Sequence, residues 1–321
     1  MQRACFFTHI SIYIEEEVFT LTETHKTNTF VLLMFLNQIF WMLFWEPIVT
    51  FFQLGTMTQM AATQFLIFIL PAAAYFMITK VSIKKTLRLK PLGIKNIVLI
   101  ILMSIAVQPF MSVLSIITSF LFPNKVSNML ADTNQTNLLV LLLILAVIPA
   151  ICEEVFFRGI TLSGYKNQSV PKACLITGFL FGLMHMDGQQ FLYAFLIGTL
   201  FCYLVYRTNS IFASMLAHFT INATQVCLGA QAFQNVAQSI EPIPTLPDSL
   251  SFLLLVSGTL FLLTLPLLIW VFWLFLKNNP VVSTSENTEY HPLCKERILD
   301  ASFFSILIIY FIIVLIIPLF R

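Results

Sequence analysis

The chain has 321 residues, of which 58% are hydrophobic and 10% charged, with a formal net charge of +2 and a mean hydropathy of +0.89. A soluble domain carries roughly 25% charged residues, so this composition excludes a soluble globular protein, and equally a disordered chain, a collagen-like repeat and a secreted disulfide scaffold. The basic residues form no stripe of the kind that binds nucleic acid, and the long unbroken apolar runs exclude a barrel of alternating strands of about 10 residues.

A helix needs about 20 apolar residues to cross a bilayer. By that rule the sequence predicts nine membrane segments, at 29–54, 61–79, 96–122, 137–158, 173–186, 191–206, 211–228, 250–276 and 301–320. The expected fold is an all-α polytopic membrane bundle of about 8–9 transmembrane helices, with 33 Phe against 10 Gly as packing material. The organisation expected is a polar N-terminal segment at 1–28, N-terminal helices at 29–136, a core at 137–228, and C-terminal helices at 229–321 that include a loop at 278–300. The N-terminal segment carries Glu15, Glu16 and Glu17 and lacks the basic-then-apolar pattern of a cleaved signal peptide. The fifth and sixth segments are short, and read either as spans or as a buried helical hairpin turning at Asp187–Gln190. Ser283–Tyr290 reads as a mobile loop. The six cysteines have no CxxC spacing; the four in apolar runs, Cys152, Cys174, Cys202 and Cys227, read as small buried hydrophobes.

Lys and Arg near helix ends set orientation. Lys80, Lys84, Lys85, Arg88, Lys90 and Lys95 crowd one loop, which is thereby expected in the cytoplasm. Alternation then puts the N-terminus inside, along with Lys166, Lys172, Arg207, Lys277, Lys295 and Arg297, and leaves Lys125 and Arg321 outside.

Ionisable groups inside lipid are costly and mark function by default. They concentrate in segments four to seven. In Glu153-Glu154-Val155-Phe156-Phe157-Arg158, Glu154 and Arg158 are i, i+4 and share a helix face, while Glu153 is turned about 100° away. Arg158 therefore neutralises Glu154 and leaves Glu153 to face something else, as a general base would. A plain structural ion pair is the competing reading for Glu154 and Arg158. Phe181 and His185 share a face, as do His218 and Asn222. The latter two are a pair of donors able to hold an oxyanion or to clasp two helices. Pro149, one turn before Glu153, removes a helix hydrogen bond and is expected to bend the segment. If the fourth helix continues past Gly159, Glu153, His185 and His218 reach similar depths. Glu46 beside Pro47 reads as a helix end at the interface. There is no GxGxxG, Walker A, HExxH or GxSxG, and no cofactor is expected.

EExxxR at Glu153–Arg158, FxxxH at Phe181–His185 and HxxxN at His218–Asn222, in that order on successive helices, resemble the CPBP family, which holds CAAX-type prenyl endopeptidases and bacteriocin-processing or immunity (Abi) proteins. Phe179-Leu180-Phe181-Gly182-Leu183-Met184-His185 and Tyr206-Arg207-Thr208-Asn209-Ser210 extend the likeness to bacterial members, over about 137–228. The resemblance implies an intramembrane glutamic endopeptidase. Glu153 and His185 would activate water, His218 and Asn222 would hold the oxyanion, and Glu154, Arg158 and Phe181 would support them. The implied partners are a peptide or membrane-protein substrate and the lipid bilayer, and the implied location is a bacterial plasma membrane. The end Leu319-Phe320-Arg321 is not a prenylation signal. Two alternatives stay open: a metal-dependent variant using Glu153, Glu154, His185 and His218, and a non-catalytic immunity or binding protein of the same fold.

Overall fold

A computed structural model describes residues 22–123, 136–238, 246–280 and 296–320. Each of the nine expected segments is helical among them: α1 Glu23–Phe52, α2 Thr56–Thr79, α3 Ile94–Ser119, α4 Leu138–Gly164, α5 Val170–Met184, α6 Gly188–Thr208, α7 Ile211–Gln238, α8 Leu246–Asn278 and α9 Ala301–Ile316. Seven are long and apolar enough to cross a membrane, and α5 and α9 are shorter apolar helices. The chain is thus an all-α polytopic membrane protein. Its outer face is apolar to a degree no water-soluble monomer tolerates: Phe51, Ile78, Leu121 and Leu139 are each at least 74% exposed.

α6 is the hub. One of its faces joins a cluster with α1, α4, α5 and α9 through Ala194 and Cys202 beside Phe35, Phe157, Leu180 and Phe303. Its other face joins α3, α7 and α8 through Ile197 and Phe201 beside Met103, Ala217 and Phe275. α5 and α6 form the hairpin foreseen as one alternative. They turn at Met186, which has a left-handed φ of 48°. Asp187 caps α6 by accepting from the Gln189 and Gln190 amides at 2.8 and 3.3 Å. Glycine lets the two backbones touch: a Cβ on Gly178 would lie 2.5 Å from the Thr199 nitrogen, and one on Gly182 would lie 2.9 Å from the Phe191 carbonyl.

Three of the described helices widen just before a proline. Phe65–Ile69 in α2, Leu143–Val147 in α4 and Ile312–Ile316 in α9 are π-helical turns, followed by Pro71, Pro149 and Pro318. A proline ring collides with the carbonyl four residues back and offers that turn no N–H, and i→i+5 bonding relieves the crowding. Pro149 thus acts by opening a turn within a helix that continues, as expected, past Gly159 to Gly164. Pro47 does less: α1 runs on to Phe52, so the helix end expected there is corrected. Stopping beside lipid would strand carbonyls with no partner, and exposed Glu46 rides on the helix surface.

Other expectations are adjusted. α1 begins at Glu23, so the last residues of the expected polar segment are helical. Cys152, Cys174 and Cys202 are buried, but Cys227 is exposed, on the outer face of α7. Ser283–Tyr290, Lys125, Lys295 and Arg321 lie outside the described residues.

The loops rich in Lys and Arg gather at one end of the bundle. The Ile211 amide donates to the Arg88 carbonyl at 3.3 Å, and Ser210 Oγ donates to the Lys90 carbonyl. Arg207 donates to the Leu276 carbonyl at 2.8 Å and the Asn279 carbonyl at 2.7 Å, a cation at the C-terminus of α8 where the helix dipole favours it. At the same end Tyr165 donates to Asn28 Oδ1 at 2.5 Å, and Asn28 donates to the Ile298 carbonyl at 2.7 Å.

Candidate active site

α4 supplies the first part. Glu154 and Arg158 have fully buried side chains and meet at 2.9 Å, the i, i+4 pairing expected. Burying two charges is expensive unless their remaining donors and acceptors are met. Here they are met in part: Arg158 Nη2 donates to the Gly198 carbonyl at 3.0 Å, and the guanidinium lies 4.3 Å from the Phe181 ring centre and 5.1 Å from that of Phe201, while Glu154 Oε2 and Arg158 Nε have no hydrogen-bond partner among the described residues. Gly198 makes room: a Cβ there would sit 2.8 Å from the Phe181 ring. The π-helical turn Val155–Thr161 holds Arg158. Arg88, left-handed at φ 49°, donates to the Arg158 carbonyl from the basic loop at 3.1 Å. Burial pulls the Arg88 guanidinium below its ordinary pKa.

α7 supplies the second part. His218 Nδ1 is 2.8 Å from Glu154 Oε1, and its Nε2 is 4.0 Å from Glu153 Oε2. A carboxylate only accepts, so Nδ1 carries the proton and Nε2 is turned to Glu153. The structure therefore brings Glu153, Glu154, Arg158 and His218 together, with Glu154 as the common anion.

α5 supplies the third. His185 Nδ1 lies 2.9 Å from the Phe181 carbonyl. A carbonyl also only accepts, which fixes the proton on Nδ1 and leaves Nε2 a free acceptor. The Phe181 ring stands edge-on to His185, 4.9 Å away, and 6.1 Å from His218, so it spaces the two imidazoles.

Glu153 and His185 both line a cavity of about 200 Å³. Its other polar walls are Gln38, Thr63 and Gln64, and its apolar walls are Ile67, Phe68, Phe157, Phe181 and Met184. Gln64 Nε2 donates to Glu153 Oε1 at 2.9 Å. Glu153 lies 11 residues before Gly164, so at 1.5 Å per residue it sits roughly 16 Å from the basic end, about half the depth of a hydrocarbon core of ~30 Å. Among the described residues, no three His, Cys, Asp or Glu side chains converge as a metal-ligand set.

Asn222, one turn beyond His218, does not line the cavity. Its Nδ2 donates to the Leu145 carbonyl at 3.0 Å, inside the widened turn before Pro149. A similar bond serves the turn before Pro71, where Asn37 Nδ2 donates to the Leu66 carbonyl at 3.3 Å. Gln38, Thr63 and Gln64 carry no charge and stand in none of the three motifs, so the sequence reading does not reach them. Amides isolated in apolar runs are the available signal.

Residues 135–224 match the model of the family described as type II CAAX prenyl endopeptidase Rce1-like. Over 96 residues, 30% of this chain, the sequence is 27% identical to a Bacillus subtilis (strain 168) protein named "Putative membrane peptidase YdiL". The aligned stretch covers 39% of that relative's length. No solved structure matches the chain. Every residue of the three motifs falls within 135–224, the stretch over which the chain is similar to that family, and the aligned relative is spanned for well under half its length.

Proposed function

We propose that the protein is an intramembrane endopeptidase that hydrolyses a peptide bond with a water activated by Glu153 and His185. The observation that carries this reading is the cavity that Glu153 and His185 both line, with the His185 Nδ1 proton committed to the Phe181 carbonyl. Water between them gives a proton to one of the two as its oxygen attacks the carbonyl carbon. The oxyanion that forms is held by donors from α7. When the tetrahedral intermediate collapses, the carbon–nitrogen bond breaks and the proton passes to the leaving amine, as microscopic reversal requires.

Supporting roles follow from contact. Glu154 holds His218 by Nδ1, and Arg158 balances its charge. When doubly protonated, His218 also donates from Nε2 on the Glu153 side. Asn222 spends one Nδ2–H on Leu145 and keeps a second for the oxyanion. The clustering of basic loops at one end supports a cytoplasmic placement of that end and of the N-terminus, and a bacterial plasma membrane fits the likeness to a Bacillus subtilis protein.

The test compares cells expressing the wild type with cells expressing Glu153→Gln at equal membrane abundance, mapping all new protein N- and C-termini. Termini found only with the wild type support hydrolysis and name a substrate. A phenotype shared by both proteins without new termini would replace this reading with a non-catalytic binder of the immunity kind.

A further inference from the structure

We propose that Gln38 and Gln64 form a subsite for the backbone of an unwound, extended peptide, and that Gln64 in addition positions Glu153. The proposal rests on the hydrolase reading, since it names the form in which the substrate enters that cavity. Both side chains line the cavity with Glu153 and His185, and both reach it from helices that precede the family-matched segment.

The Gln64 amide is oriented by its neighbour. The Glu153 carboxylate accepts and does not donate, so the –NH2 end of Gln64 must face it, at 2.9 Å. The Gln64 carbonyl oxygen is thereby turned away from Glu153. It is buried and has no hydrogen-bond partner among the described residues, and the same holds for the Gln38 oxygen. Two buried acceptors, each on a residue that lines the same cavity, call for donors. A peptide N–H is such a donor, and in lipid it is offered only by a segment that has left its helix, because helical N–H groups are already bonded.

Size agrees with this. A helix with its side chains is about 10 Å across, more than a cavity of about 200 Å³ admits, whereas an extended strand with one apolar side chain against Phe68, Phe157 and Met184 is of the right order. α1 is braced for the task by the neighbouring Asn37, whose bond to the Leu66 carbonyl ties it to the widened turn of α2 that follows Gln64.

The test uses the full chain in nanodiscs and a fluorescein-labelled apolar nonapeptide rich in leucine and phenylalanine, with counterparts methylated at one backbone nitrogen at a time. Binding is read by anisotropy and cleavage by product formation, for the wild type, Gln38→Met and Gln64→Met, with thermal melting of each protein. Methylation at one or two positions should weaken wild-type binding about tenfold, the scale of one net hydrogen bond. Gln38→Met should bind the parent peptide about tenfold more weakly and be indifferent to the methyl group at its own position, raising KM with kcat kept. Gln64→Met should behave likewise and lower kcat as well. If Gln64→Met fails to fold, Gln38→Met carries the comparison. The subsite is overturned if methylation affects wild type and variants alike, if it affects neither, or if the nonapeptide does not bind the wild type. Discrimination without any cleavage would instead overturn the hydrolase reading alone, and cleavage without discrimination would overturn the subsite alone.

Discussion

The Asn222 amide nitrogen lies 3.0 Å from the Leu145 carbonyl, which in an unbroken α-helix would be served by residue 149, here a proline without an N–H. A side chain of α7 thus fills a vacancy in the backbone of α4, about two turns before the glutamates. Asn222→Ala should lower stability by about 1–3 kcal/mol, the cost of leaving a half-buried acceptor unmet where lipid offers no donor. In a Pro149→Ala background, where the missing donor returns, the same substitution should cost less than half as much. Thermal unfolding in detergent of the four proteins checks this. Equal losses in both backgrounds would mean that the bond to Leu145 is not what Asn222 contributes to the fold.

The Glu154–Arg158 pair is fully buried, so removing one partner strands the other. Arg158→Met should cost about 3–5 kcal/mol and sharply reduce the protein accumulating in the membrane. Glu154→Gln together with Arg158→Met should recover part of that loss while leaving cleavage abolished, because His218 then lacks its anchor. Membrane abundance, melting temperature and terminus mapping separate the two effects.

In the α5–α6 hairpin, Gly178→Ala would set a Cβ 2.5 Å from the Thr199 nitrogen, where backbone cannot yield cheaply. A loss of about 1–3 kcal/mol is expected from overpacking. Gly258, with nothing within 4 Å of such a Cβ, is the control: Gly258→Ala should gain about 0.5–1 kcal/mol from helix propensity alone. Opposite shifts in melting temperature are the expected result.

Arg88 fastens the basic loop to α4 through the Arg158 carbonyl. Arg88→Ala should free that loop, and limited trypsin should cleave after Lys84 or Lys85 roughly tenfold faster, in keeping with the loss of a charge-assisted hydrogen bond. An unchanged rate would place the restraint in the remaining contacts, such as the Leu87 side chain beside Gly159.

Much of this architecture was legible in the residues. Apolar run length located the helices, because a backbone in lipid must satisfy itself. The offset between Glu153 and Glu154 foretold which of them Arg158 would hold, because helix geometry is fixed. The rest is set by tertiary contact. Pro47 interrupts nothing, whereas Pro71 and Pro149 each follow a widened turn; the turns before these two receive amides from Asn37 and Asn222, which sequence spacing could not reveal. Gln38 and Gln64 are neutral amides outside the motifs, and nothing in their spacing marks them. Their bearing depends on α1 and α2 folding back over Glu153.

The hydrogen bond from Gln64 to Glu153 joins a helix that precedes the family-matched stretch to one inside it. The wall contributed by α1 and α2 can therefore be altered while every motif residue stays as it is. Two chains that share the three motifs need not share that wall. Exchanging residues 23–79 between two such chains, rather than editing the motifs, is the natural way to redirect one of them.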